Sequence, residues 1–302
     1  MTSCRRIRIG LTAGDPSGIG PEVLEAALQS ERLPQNVDWQ IIGNPLPRSP
    51  GKPDRTGAQQ AWDALEESAQ KLLSGEIDAI VTGPISKKAL HQISFPFPGQ
   101  TEFFAARAHV ANFAMCLSSP RLTVALVTAH IPLAGVSSLL RSEEIIRVGH
   151  LLFDFLKLKT SHAPCMAVAG LNPHAGEEGD LGREEIEIIA PAVALLKNQI
   201  GEEAVFGPMA PDSLFHRAIH GEFDGVLCMY HDQGLIPLKM DGFDEGVNIT
   251  LGLPFVRTSP DHGTAYDIVG KGKARPDSML AAMKTAAMMV EQHKRKASQS
   301  HP

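Results

Sequence analysis

Three short segments each set a histidine among small or turn-forming residues: Thr128-Ala129-His130-Ile131-Pro132-Leu133, Gly170-Leu171-Asn172-Pro173-His174-Ala175-Gly176 and Tyr230-His231-Asp232-Gln233-Gly234. Each follows a short apolar, strand-like run. An α/β protein displays its reactive groups there, on loops at the carboxyl ends of strands. A lone histidine near a strand end is usually structural. Three in the same context read together as neutral imidazole ligands. Converging, they would make an open divalent-metal site with room for substrate oxygens. That is metal-assisted chemistry on a small polar molecule.

A second set carries charge. Lys239, Asn248 and Arg257 are spaced nine residues apart on a stretch with few helical signals. Arg offers a planar fork, Lys a point charge and Asn a neutral donor, a combination that suits an anionic substrate. In Phe95-Pro96-Phe97-Pro98-Gly99-Gln100-Thr101-Glu102, two prolines and a glycine present Gln100 and Thr101 on a stiff loop. They could hold a polar substrate, or Thr101 could cap a helix at 102–108. His262, in Asp261-His262-Gly263-Thr264, points to a cofactor pocket. The Gly-rich loop at 14–20 precedes a helix and could bind an anion on its backbone N–H groups. It is neither a GxGxxG fingerprint nor a GK[ST] loop, and a tight turn explains it equally well. Lys87 and Lys88 read as a solvated surface pair.

Strand-like runs at 7–12, 39–42, 79–82, 122–127, 166–169 and 225–229 must position these groups. Helical patterns at 23–28, 56–73, 186–196 and 276–291 lie between or after them. This alternation predicts an α/β fold with a mostly parallel or mixed sheet. The stretch 45–55 holds prolines at 47, 50 and 53 in its interior and must be a loop.

The bulk composition narrows the class. The chain has 302 residues, a net charge of −6 and no long basic run, so nothing favours nucleic acid as a partner. Cys4, Cys116, Cys165 and Cys228 are scattered without a CxxC pair, which argues against a zinc ribbon or a disulfide framework. No stretch approaches the roughly twenty apolar residues of a membrane span. The basic start of the chain leads into a strand, not an apolar signal region, so a cytoplasmic location is expected.

In order along the chain stand Gly14-Asp15-Pro16-Ser17-Gly18-Ile19-Gly20-Pro21-Glu22, Thr82-Gly83-Pro84, Pro98-Gly99-Gln100-Thr101-Glu102, Asn172-Pro173-His174-Ala175-Gly176, Tyr230-His231-Asp232-Gln233-Gly234, Asn248-Ile249-Thr250-Leu251-Gly252-Leu253-Pro254-Phe255 and Asp261-His262-Gly263-Thr264-Ala265. With them the chain resembles the PdxA family of 4-hydroxythreonine-4-phosphate dehydrogenases, nearly end to end. The resemblance implies an isocitrate/isopropylmalate dehydrogenase-like α/β fold with two lobes around a central cleft, here expected at 1–98 plus 262–302 and at 99–261. It implies a homodimer with one divalent metal (Zn, Co, Mg or Mn) on His130, His174 and His231, completed across the subunit interface. Substrate would lie on Gln100, Thr101, Lys239, Asn248 and Arg257, with Lys239 and Asp232 catalytic. NAD or NADP would lie along Asn248, Leu251, Gly252, Asp261, His262, Gly263 and Thr264.

The implied reaction oxidises a secondary alcohol that the metal polarises, passes hydride to the nicotinamide, and releases CO2 from the resulting β-keto acid. For 4-hydroxythreonine 4-phosphate the product is 3-amino-1-hydroxyacetone phosphate, in pyridoxal phosphate biosynthesis. Two departures keep rivals in view. The family's usual Gly-His-Thr-Glu is Gly99-Gln100-Thr101-Glu102 here, and a glutamine cannot titrate or carry charge. The 45–55 loop is also shorter than is usual in the family. The rivals are the same chemistry on D-threonate or D-erythronate 4-phosphate or on an aromatic dicarboxylate cis-diol, and a non-catalytic metabolite-binding paralogue.

Overall fold

The computed structural model describes residues 6–299. Cys4, the start of the chain and the end of the tail expected at 298–302 lie outside the described residues. The chain folds as two compact units, one built from residues up to 111 together with those from 247 onward, the other from 112–246.

In chain order the first unit runs β1 (Ile7–Thr12), α1 (Gly20–Leu28), β2 (Val37–Ile41), α2 (Arg55–Leu73), β3 (Ala79–Thr82), α3 (Lys87–His91) and α4 (Gln100–Arg107). The second unit holds β4 (Ala114–Ser118), β5 (Thr123–Leu126), α5 (Val136–Leu139), α6 (Ser142–Lys159), β6 (Met166–Ala169), α7 (Ala190–Ile200), β7 (Val205–Met209), α8 (Pro211–Ile219), β8 (Gly225–Cys228) and α9 (His231–Gly242). The first unit resumes with β9 (Val247–Leu251), β10 (Val256–Pro260) and α10 (Asp277–Gln299).

The sheet of the first unit is ordered β2-β1-β3-β10-β9, parallel except for β9 against β10. That of the second is β4-β5-β8-β6-β7, parallel except for β4 against β5. Strands β3, β5, β6 and β8 are buried along their whole length, as apolar runs covered on both faces must be. One core gathers Leu65, Ile80, Phe95, Phe103 and Phe104. The other gathers Leu117, Val124, Ala167, Val226 and Leu238. No helix among the described residues is long and apolar enough to cross a membrane. Cys116, Cys165 and Cys228 are free thiols.

The unit boundaries fall at 111/112 and 246/247, not at 98/99 and 261/262. The reason is packing. Phe103 and Phe104 of α4 lie against Phe95 and Phe255, and β10 pairs with β3, so both segments stay with the first core. Thr101 does not cap a helix. Gly99 is the cap of α4, and Thr101 lies inside its first turn. Residues 231–242, whose start reads as a loop, are helical from His231 onward. Gly234 and Pro237 disguise that helix in the sequence. Gly234 faces Cys228, Val124 and Leu126 so closely that a Cβ would stand 3.1 Å from the Cys228 sulfur. The glycine lets α9 rest on the sheet.

Candidate active site

The histidines of the second unit come from neighbouring strands. β5, β8 and β6 are adjacent and parallel, and His130, His231 and His174 follow their carboxyl ends. His130 and His231 face each other, with ring centroids 5.6 Å apart and planes tilted by 40°. They share a cavity of about 210 Å³ with Thr128, Ile131, Tyr230 and Asp232. Thr128 fastens its wall, donating through Oγ1 to the Met229 carbonyl at 2.7 Å. His231 Nδ1 lies 2.7 Å from Asp232 Oδ1. An ionised carboxylate only accepts, so this contact places the ring proton on Nδ1 and leaves the Nε2 lone pair for a ligand.

His174 sits differently. Residues 174–178 form a run of five left-handed residues, with φ of 52°, 53°, 84°, 42° and 55°. His130 is left-handed too, at φ 55°. Each non-glycine in this region costs about 1–2 kcal/mol, so the surroundings must enforce the turn. Glu185, on a π-helical turn at Glu185–Ile189, does so from inside. It accepts from the N–H of Leu171 at 2.7 Å, the N–H of Asn172 at 2.8 Å and Nδ2 of Asn172 at 2.9 Å.

Imidazole is a usual ligand of divalent metals, and His130 and His231 line one cavity with Asp232 beside them and Ile131, Leu133 and Val136 on its apolar wall. Among the described residues, however, no three His, Cys, Asp or Glu gather closely enough to hold an ion. Of the three expected histidines, His130 and His231 face each other, and His174 is held on its own turn.

The first unit holds the anion set. Thr250 and Asn248 are two apart on β9 and so share a face; β10 pairs with β9 in antiparallel register and brings Arg257 to it. Arg257 is only 3% exposed. Its Nη2 donates to Thr82 Oγ1 at 2.8 Å and Gln100 Oε1 at 3.1 Å. Its Nη1 donates to Thr250 Oγ1 at 3.3 Å and Asn248 Oδ1 at 3.5 Å. Its Nε is buried without a partner. Every acceptor is a neutral hydroxyl or amide. Burial pushes the guanidinium down to about 10, against the pull of the Glu102 charge. Gln100 also donates from Nε2 to the Gly83 carbonyl at 3.0 Å, so it braces Arg257 against a strand end. Thr101 Oγ1 lies 3.5 Å from Thr250 Oγ1. Lys239 belongs to the second unit, on α9, with its ammonium 5.3 Å from the Phe243 ring centroid. Lys87 and Lys88 are exposed.

The cofactor candidates lie in the first unit. His262 Nδ1 is 3.0 Å from the Gly263 carbonyl oxygen, while its Nε2 is buried and unpartnered, as a group awaiting a ligand would be. Gly252 turns the β9–β10 hairpin at φ 85°, Leu251 is buried, and Asp261 N–H donates to Ser278 Oγ at 2.9 Å. The Gly-rich loop is no anion cradle. The N–H groups of Asp15, Ser17, Gly18 and Ile19 donate to the Pro84 carbonyl, Asp15 Oδ1, the Asp15 carbonyl and the Thr264 carbonyl. Tyr266 pins that loop from the other side, donating to Asp15 Oδ2 at 2.6 Å. A cavity of about 410 Å³ opens between α1, the 45–50 loop and Val269–Gly270, but it is mainly apolar and touches none of the Arg257 set.

Glu185 and Thr250 carried no sequence signal strong enough to single them out. Glu185 reads as an ordinary acidic helix start. Thr250 could have been found, being two residues from Asn248 on a strand.

Residues 20–286 match the family described as pyridoxal phosphate biosynthetic protein PdxA. The chain belongs to the PdxA family. It is 40% identical to a 4-hydroxythreonine-4-phosphate dehydrogenase of Geobacter metallireducens, across 94% of this chain and 95% of that protein. Identity to the enzyme of that name from Bradyrhizobium diazoefficiens is 46%, across 88% of this chain and 76% of that protein. Among solved structures, 4-hydroxythreonine-4-phosphate dehydrogenase from Klebsiella pneumoniae superposes with a TM-score of 0.82 at 35% identity, covering 97% of this chain and all of that one. The resemblance read from the motifs is borne out, and with it the α/β dehydrogenase fold of PdxA proteins.

Proposed function

We propose that this PdxA chain oxidises and decarboxylates 4-hydroxythreonine 4-phosphate to 3-amino-1-hydroxyacetone phosphate, using NAD or NADP and a divalent metal, in pyridoxal phosphate biosynthesis. The observation that carries the reading is Arg257. A buried guanidinium with only neutral acceptors lacks a hydrogen-bonded anion, and the Glu102 charge offsets its burial only in part. The phosphate or carboxylate of the substrate supplies that charge, and the planar fork suits either. Gln100, Thr101, Asn248 and Lys239 complete the substrate set.

His130, His231 and His174 hold the metal (zinc, cobalt, magnesium or manganese). When bound it polarises the secondary alcohol and eases removal of its proton. Asp232 keeps His231 in the tautomer that ligates. Lys239 carries a proton that can be held or delivered at the reacting carbons. Asn248, Leu251, Gly252, Asp261, His262, Gly263 and Thr264 bind the nicotinamide cofactor, and the orphaned His262 Nε2 supports that assignment.

The enzyme acts in the cytoplasm as a homodimer, with each site completed by the partner. Two features support a second copy. One chain assembles no three-ligand site among the described residues. And α9, with Phe243 at its C-terminal cap, exposes Ile236, Met240 and Phe243 by 60%, 84% and 70%, at helical spacing on the element that begins at His231.

Formation of NADH or NADPH by metal-loaded protein tests the substrate. 4-Hydroxythreonine 4-phosphate is expected to turn over far faster than D-threonate or D-erythronate 4-phosphate. Turnover of only the latter two would replace the substrate, and turnover of none would leave a binding protein.

A further inference from the structure

Two buried polar side chains of the second unit, Glu185 and Gln233, have no part in the reaction above. They are 3% and 6% exposed. Gln233 Oε1 accepts from the Met229 N–H at 2.7 Å, at the end of β8. Its Nε2 donates to the Gly170 carbonyl at 2.6 Å, at the end of β6. One amide thus joins the backbone two residues before His231 to the backbone four residues before His174. Glu185 takes over at the next step, gripping Leu171 and Asn172 with three hydrogen bonds. A Cβ on Gly176 would stand 2.7 Å from Glu185 Oε2, so the turn closes directly on this carboxylate.

We propose that Glu185 and Gln233 are positioning residues: together they set the His174 turn against the His231 helix, fixing how each imidazole is presented to the metal it serves. The physical case is one of donor and acceptor counting. Glu185 meets donors at both of its oxygens, two backbone N–H groups at one and the Asn172 amide at the other. A glutamine there faces a donor with a donor whichever way its amide is turned. Gln233 meets a donor at one end and an acceptor at the other, so a glutamate there sets an oxygen against the Gly170 carbonyl. Both pairs are buried, where mismatched polar groups are most costly. The left-handed run 174–178 then has no reason to keep its form.

The proposal rests on the reading of His174 and His231 as metal ligands, and the experiment separates the two. Apo protein is titrated with Co(II), following its visible absorption, for wild type, Glu185→Gln, Gln233→Glu and Gln233→Met. Amide exchange at Leu171 and Asn172 is followed in the same samples without metal. We expect Co(II) affinity to fall about 10- to 100-fold in the folded variants, the usual effect of losing a supporting hydrogen bond behind a ligand. The Co(II) spectrum should shift, exchange at 171–172 should speed up in Glu185→Gln, and the KM for NAD(P) should stay unchanged. Gln233→Met keeps bulk while losing both bonds, so it carries the test if Glu185→Gln does not fold. Wild-type affinity and spectrum in folded variants would overturn the proposal. Unchanged Co(II) binding in His174→Ala and His231→Ala would instead overturn the metal reading beneath it.

Discussion

The first unit buries a cation among neutral groups on regular elements, whereas the second carries imidazoles on contorted backbone. Arg257 is held by four neutral acceptors on regular strands, a strand end and a helix start, and its cost is the burial of a charge. His130 and His174 are exposed, and their cost is a left-handed φ. Both sites are paid for in advance, in different terms. On the proposed reading an anion would relieve the first by charge, and a metal the second by bonding to groups that the backbone already presents.

Removing the charge tests the contrast hardest. Arg257→Met should raise the KM for the phosphorylated substrate by about 100- to 1,000-fold, as expected for a buried charged hydrogen-bond partner. The apo protein should melt no lower than wild type, because a buried charge replaced by an apolar side chain of similar length is often neutral or stabilising. Inorganic phosphate should raise the melting temperature of wild type and not of the variant. A lower melting temperature in the variant, with phosphate still stabilising it, would make Arg257 a structural residue and end the comparison.

The second unit should respond in the opposite way. His174→Gly removes a ligand and also gives φ 52° to the residue that tolerates it best. Co(II) affinity should drop at least tenfold, while the apo protein gains about 1 kcal/mol, measured by urea unfolding. His130→Gly, at φ 55°, is expected to do the same. Loss of stability in both would mean that the imidazoles, and not the surrounding hydrogen bonds, hold these turns.

Much of this contrast was legible in the sequence. Strands β1, β3 and β6 lie where the apolar runs place them, since short runs between turn residues leave little choice of ends. The histidines follow strand ends, as their neighbours imply. What stayed hidden is what depends on pairing across the sheet. Arg257 reads alone as a surface charge, and only the register of β9 with β10 buries it beside Thr250. The hairpin itself is masked by Gly252 and Pro254. Glu185 looks solvated until the chain folds back to place it under residues 171–176. His174 stands apart from the His130 and His231 pair, and no spacing along the sequence reports which of three strand ends come together.

The smallest effect tests whether the first site depends on polar links and not on backbone strain. Tyr266 donates to Asp15 Oδ2, tying the Gly-rich loop to the segment that carries His262. Burial, with the bond to Asp15 adding to it, pushes the phenol up to about 12 from its ordinary 10. A folded-state pKa above the unfolded one means that this contribution is complete below pH 10 and fades as the pH climbs from about 10 to about 12. Arg257 pulls the other way in part of that range. Its lowered pKa makes stability rise as it deprotonates, so the melting curve of wild type alone is a sum. The difference between wild type and Tyr266→Phe isolates the phenol, because Arg257 is present in both. At pH 8 the variant should be less stable by about 1 kcal/mol, the usual worth of one hydrogen bond. The gap should close near pH 11 (about one unit above the ordinary phenol value) and reverse by pH 12. KM for NAD(P) should rise a few-fold as the tether loosens, with Co(II) affinity untouched. A gap that stays constant with pH would mean that the ring packs without its hydroxyl mattering. A matching loss of Co(II) affinity would mean that the two units do not hold their ligands independently.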